Sequence, residues 1–136
     1  MASTLAEVRR ALADALSAIE GLNVLERAPE QPPTPCAYLL RSGGQARTDF
    51  GKTSPSYDFT VRVVVSRADL DSAQEQLDTY VERGTDQSVW DAIEADPTCG
   101  GVLFTLRCNE VSGDQVIAYG DVGYLSADFA LTVYPA

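Results

Sequence analysis

The chain has 136 residues, 45 % hydrophobic and 22 % charged, a composition suited to one domain with its own core. Its 20 Asp and Glu against 10 Lys and Arg give a formal charge of −10, which argues against gripping nucleic acid or an anionic membrane, since both draw on Lys and Arg. No histidine is present, which excludes Ser-His-Asp and Cys-His nucleophiles and any zinc site that needs an imidazole.

Thr4-Leu5-Ala6-Glu7 has the form of a capping box, in which hydroxyl and carboxylate each satisfy the other residue's backbone amide. Leu5, Val8, Leu12, Ala15, Leu16 and Ile19 then recur at steps of three and four and predict one apolar helix face, closed by Gly21. Arg9, Arg10, Asp14 and Glu20 fall on the opposite face and read as solvated. Asn23 to Arg27 suits a short strand. The prolines between Pro29 and Pro35 lack the amide a helix or central strand needs, so this stretch predicts an extended connector.

Cys36 to Arg41 predicts a strand. Ser42 to Ser56 follows as a long polar loop with no apolar period, and it is locally basic: Arg47 and Lys52, preceded by Arg41, meet only Asp49. Tyr57 to Val65 alternates as a strand with Tyr57, Phe59, Val61, Val63 and Val65 on one face. A helix capped by Ser66 or Asp69 follows, its inner stripe Leu70, Ala73, Leu77, Tyr80 and Val81, and Gly84 ends it. A shorter helix after Asp86 or Ser88 carries Val89, Trp90 and Ile93 and stops at Pro97. Cys99-Gly100-Gly101 predicts a turn, Leu103 to Glu110 a strand, Ser112-Gly113-Asp114 a hairpin turn, and Val116 to Tyr119 the return strand. Gly120 to Gly123 turns the chain again, and Tyr124 to Tyr134 is the longest strand.

Strands in blocks rather than in βαβ alternation predict a single α+β domain over residues 1–136, with a mostly antiparallel sheet. The N-terminal helix and the central helical pair are expected on one face of it. No apolar run is long enough to span a bilayer, and the first residues lack a signal-peptide core, so a cytoplasmic origin is expected. Cys36, Cys99 and Cys108 have no CxxC spacing and read as reduced, small hydrophobes; a Cys36–Cys108 bridge is permitted by the sequence but not required.

Chemistry finds little support. Asp91, Glu94 and Asp96 are the densest carboxylates, and at the end of a helix they read as a solvated patch. Asp69, Asp71, Glu75, Asp78 and Glu82 line the outer face of the second helix, where Asp69 and Asp71 suit its N-terminal dipole. They lack the glycine and terminal Glu of a calcium loop. Gly43-Gly44 and Gly100-Gly101 stand in no phosphate-loop pattern. Trp90 reads as core, and Tyr38, Tyr57, Tyr119, Tyr124 and Tyr134 as ordinary strand aromatics. No catalytic residue, metal or cofactor is expected; a small acidic enzyme built on Asp91, Glu94 or Asp96 and an acidic DNA-mimicking inhibitor stand as lesser alternatives.

Taken in order, the elements resemble the tail terminator proteins of long-tailed (siphovirus-type) phages, above all those of actinobacteriophages. The likeness runs over most of the chain: the helix Leu5-Ala6-Glu7-Val8-Arg9-Arg10-Ala11-Leu12, the proline-rich approach Pro32-Pro33-Thr34-Pro35-Cys36-Ala37-Tyr38, and Tyr57-Asp58-Phe59-Thr60-Val61 leading to Gln76-Leu77-Asp78-Thr79-Tyr80. Its most telling piece is Ser88-Val89-Trp90-Asp91-Ala92-Ile93-Glu94-Ala95-Asp96-Pro97-Thr98 running into Gly100-Gly101, and the closing strand Tyr124 to Tyr134 fits as well. Cys99 stands where leucine is expected, and Ser126 where a glycine is expected nearby.

The resemblance implies a structural virion protein without catalytic residues. Such a protein forms a ring, expected to be a homohexamer, on the head-proximal end of the tail tube, ends tube polymerisation and presents the surface that joins the head. Implied partners are other copies of the chain, the tail tube protein and a head-completion or connector protein, with DNA passing through unbound. Another neck component, a head-completion or stopper protein, is the alternative. Arg41, Arg47 and Lys52 are the expected contact residues toward acidic surface, a loop without fixed structure being the plainer reading, and acids are expected to line the bore.

Overall fold

The computed structural model describes residues 4–27, 29, 33–45, 56–66, 70–113, 115–119 and 122–135. Helix α1 spans Leu5–Leu16. Its capping box forms as predicted: the Glu7 amide donates to Thr4 Oγ1 at 3.1 Å, and the Thr4 amide to Glu7 Oε1 at 3.2 Å. Val8, Leu12, Leu16 and Ile19 are buried, so the three-and-four spacing does face the core.

Strand β1 (Asn23–Leu25) pairs in parallel with β2 (Cys36–Gln45). Asn23 ties the proline connector to this corner, its side-chain amide donating to the Pro33 and Pro35 carbonyls; the Thr34–Pro35 peptide is cis. Strand β3 (Ser56–Ser66) runs antiparallel to β2. Here the described ends of the expected loop Ser42 to Ser56 are strand, and residues 46–55 lie outside the described residues. Ser42 to Gln45 belong to β2, because Ser42 is accommodated as a bulge between Arg41 and Gly43 and the ladder resumes with Gly43 opposite Asp58. The Ser42 hydroxyl donates to the Asp58 carbonyl at 3.1 Å. A polar bulge breaks the alternation from which strands are read, which is why these four residues read as loop.

Helices α2 (Leu70–Val81) and α3 (Val89–Glu94) follow, and Ser88 caps α3 by accepting from the Asp91 amide. Gly84, at φ +85°, takes the left-handed conformation that ends the first of them. Strands β4 (Leu103–Val111), β5 (Gln115–Tyr119) and β6 (Val122–Pro135) complete a six-stranded sheet. Its order is β1-β2-β3-β6-β4, with β5 also on β6. All pairings but the first are antiparallel.

The predicted hairpin at Ser112-Gly113-Asp114 does not form. Val111 pairs with Phe129 and Gln115 with Ser126, so β4 and β5 run in the same direction, end to end along one edge of β6. Ser112 belongs to this jog: its amide donates to the Asp128 carbonyl, and its hydroxyl accepts from the Asp128 amide. The reversal comes later, between the paired residues Tyr119 and Val122.

Among the described residues the three helices lie on one face of the sheet. Phe59, Val61, Val63 and Val65 of β3 and Ala127, Phe129, Leu131 and Val133 of β6 project there and meet Leu12, Leu16, Leu77 and Ile93. Full burial of each large apolar side chain is worth about 1.5–3 kcal/mol, so this layer is the main source of stability. The opposite face is not merely polar. Cys36, Tyr38 and Val64 form a second buried cluster there, flanked by Leu25, Leu40, Ile117 and Tyr124. The fold is therefore α+β, a mostly antiparallel sheet covered on one face by the N-terminal helix and the central pair.

Candidate interaction surface

Arg9 follows buried Val8 by one residue and so borders the inner stripe of α1, where a long side chain can reach the end of β1. Its Nη1 donates to the Glu26 carbonyl at 2.7 Å and to the Leu39 carbonyl at 3.2 Å, joining β1 and β2 just beyond their three paired residues. The guanidinium lies 5.4 Å from the Phe59 ring centroid, within cation–π range. Arg9 is thus a strap between helix and sheet, not a solvated residue of the outer face.

Two further arginines stand beside it. Arg27 follows Glu26 directly, and Arg41 lies two residues past Leu39 on the same face of β2, opposite Phe59. Both are exposed. Burial lowers the Arg9 pKa, and Arg27 and Arg41 lower it further by repulsion, against the opposing pull of Glu26. Of the contact residues expected from sequence, Arg41 thus belongs to a patch completed by Arg9 and Arg27, which sequence reasoning missed. Arg47 and Lys52 lie outside the described residues. The signal that could have found Arg9 is its place at the margin of the apolar stripe; Arg27 carried none, because its neighbours are set by the return of β2.

The carboxylates near α3 lie at the surface, as expected, and there they are tied into the fold by hydrogen bonds and ion pairs. Arg83 Nη2 donates to Glu94 Oε2 at 2.7 Å, its Nε lies 3.6 Å from Asp91 Oδ1, and its guanidinium sits 5.0 Å from the Trp90 ring centroid. The Trp90 indole N–H donates to Glu94 Oε1 at 2.6 Å, while the Gly84 amide donates to Asp91 Oδ2 at 2.6 Å. Trp90 meets Phe129 edge to face at 6.4 Å, so it seals the core from a half-buried position. Asp96 accepts from the Thr98 amide, the Thr98 hydroxyl and the Gly100 amide. These bonds hold its pKa below the usual carboxylate value, the Thr98 side chain first. They also pin the run Cys99, Gly100, Gly101, where all three residues have positive φ. Cys99, at φ +48°, is the non-glycine in that run, a conformation costly for a side chain.

The other acidic group is open. Glu75, Asp78 and Glu82 of α2 and its C-terminal end are exposed, and among the described residues none of them forms an ion pair. Asp69 lies outside the described residues, and so does the side chain of Asp71. A groove of about 620 Å³ between α1 and α3 is lined by alanines of both helices together with the charged Glu7, Arg10, Asp14 and Asp96. Among the described residues two large apolar side chains are exposed, Val116 (58 %) and Val122 (53 %), both on the β5–β6 hairpin.

The three cysteines are free. Cys36 projects from β2 on the face away from the helices and Cys108 from β4 toward them, with β3 and β6 between. Three strand spacings are roughly 14 Å, about twice what a disulfide spans, so no Cys36–Cys108 bridge is possible in this fold. Burial pushes all three thiols up to about 11, helped at Cys99 by Asp96 and at Cys108 by Glu94. Among the described residues no cluster of three or more Cys, Asp or Glu could hold a metal ion, and no helix is long and apolar enough to cross a membrane. No protein-family model matches the sequence, and no curated protein matches it either.

Proposed function

We propose that this protein is a structural component of a phage tail, a terminator that forms a ring on the head-proximal end of the tail tube, ends its growth and offers the head-joining surface. One observation carries the reading. The segment on which the resemblance chiefly rests, Ser88 to Thr98 with Gly100-Gly101, is a single built piece: Ser88 caps α3, Asp91 and Glu94 clasp Arg83, and Asp96 pins the following turn. Its carboxylates serve the scaffold, which suits a protein whose work is contact. The charged surface left open, arginines at the β1–β2 corner and acids on α2, is of the kind that directs association between proteins.

The test is assembly. Purified protein mixed with tubes of the tail tube protein is expected to cap tube ends, seen by electron microscopy, and to halt elongation. Replacing Arg41, Arg47 and Lys52 together by Ala is expected to weaken capping most at low salt. A strict monomer that leaves tube length unchanged would overturn the reading. Binding to the portal side instead of the tube would favour a stopper.

A further inference from the structure

The arginine patch and the α2 acids are opposite charges on non-overlapping parts of one surface. α1 packs against β1 and β2, where Arg9, Arg27 and Arg41 gather, whereas α2 packs against β3 and β6. Arg9 is fixed by two carbonyls and the Phe59 ring, so one positive charge is held in place beside the exposed Arg27 and Arg41. Glu75, Asp78 and Glu82 repeat at steps of three and four and share one face of α2. Asp78 lies in the last turn and Glu82 just after it; no basic residue occupies that turn, and negative charge at a helix C-terminus is disfavoured. Each set therefore gathers charge of one sign on the surface of one chain, and the two sets are of opposite sign.

We propose that the Arg9–Arg27–Arg41 corner is the docking surface for the Glu75–Asp78–Glu82 stripe of a second copy of this chain. This rests on the ring reading and names its subunit contact. Two different patches on one chain make a heterologous, head-to-tail interface, the kind that closes into a ring when the rotation allows. The second copy is the partner that charge complementarity selects: in a chain of net charge −10, another copy brings the carboxylates with it. Arg9 positions the corner and anchors it, while exposed Arg27 and Arg41 make the contact.

A charge swap tests this. One variant carries Arg27→Glu and Arg41→Glu, the other Glu75→Arg and Asp78→Arg; all four positions are exposed, and circular dichroism and melting check the folding of each. Native mass spectrometry and sedimentation, at low and high salt, read the assembly. Wild type is expected to associate, each variant alone to lose association at least about tenfold, and an equimolar mixture of the two to regain it, because every contact in an alternating assembly is again between opposite charges. Folded variants that assemble like wild type, or a mixture that stays apart, would overturn the interface while leaving the ring reading intact. Wild type that neither self-associates nor assembles on tubes would remove the ring reading itself. Assembly unchanged in the Arg27/Arg41 variant, with loss of retention on duplex DNA, would assign the corner to phosphate and overturn the proposal.

Discussion

Arg62 and Arg9 show how differently one residue type is used in this sheet. Arg62, on the face away from the helices, makes a bidentate pair with Asp128: Nε to Oδ1 at 2.8 Å and Nη2 to Oδ2 at 3.0 Å. The two are cross-strand neighbours on β3 and β6, and Tyr38 also reaches the guanidinium. Both side chains are mostly shielded, so the pair is screened less than a surface salt bridge. Beside it a polar chain crosses the sheet, from the Asn109 amide to the Thr132 hydroxyl at 2.9 Å and on to Asp58 at 3.1 Å. Replacing Arg62 by Ala strips Asp128 of its partner and is expected to cost about 1–3 kcal/mol in chemical denaturation. Lys at the same position is expected to recover only part, because an ammonium cannot match both carboxylate oxygens. Equal stability of the Lys variant and wild type would show that the fork geometry contributes nothing. Asp128 was legible in sequence only as a polar residue on the outer face of a strand, and its partner lies 66 residues away, a pairing that alternation cannot reveal.

At the scale of elements, what was legible follows from local physics. The capping box, the stripe of α1, the Ser88 cap and the apolar face of β3 all depend on residues within one or two turns or on simple alternation, and all form as expected. The misread hairpin shows where that stops. Ser112-Gly113-Asp114 has turn chemistry, but whether a turn reverses the chain depends on what lies alongside. Strand β6 has fourteen residues, and β4 and β5, of nine and five, share its one free edge in sequence. The resulting edge has a weak point. β4 carries charge and register shifts near Phe104 and Asn109 that blunt strand addition, whereas β5 reads Gln-Val-Ile-Ala-Tyr, with no charge, an unbroken register and Val116 exposed. Val116→Lys is therefore expected to reduce aggregation at high protein concentration, read by light scattering, and to leave the melting temperature almost unchanged. Its effect should persist in high salt, which separates it from the charge-driven contact at the arginine corner. An unchanged aggregation onset would clear β5 of the role.

For the whole molecule, the thiols make stability depend on pH at the alkaline end. Cys36, Cys99 and Cys108 are each raised from an ordinary value near 9 to about 11 by burial. A thiol held up in this way binds its proton more tightly in the folded chain than in the unfolded one. Its contribution is thus complete below pH 9 and is lost as pH climbs from 9 through about 11. The buried Tyr80 hydroxyl is shifted upward as well, so it weakens the fold in the same direction. The melting temperature is expected to hold level from pH 7 to 9 and then to fall. Replacing Cys36 and Cys108 by Ala should make that fall shallower, leaving the part owed to Tyr80 and Cys99, though the Cys36 cavity lowers the plateau. The same shift implies that a maleimide at pH 7 labels the native protein far more slowly than the urea-unfolded chain, because the thiolate is the nucleophile. Rapid labelling of the folded protein at neutral pH, or an alkaline limb identical in wild type and double variant, would show that burial does not control these thiols. The acid end has the opposite sign. Asp96, held below the usual carboxylate value by the Thr98 hydroxyl first and then by backbone amides, contributes above that value and loses its contribution as pH falls through its lowered pKa. The net charge of −10 also shrinks as carboxylates gain protons. Self-repulsion then eases while the Asp96-pinned turn loosens.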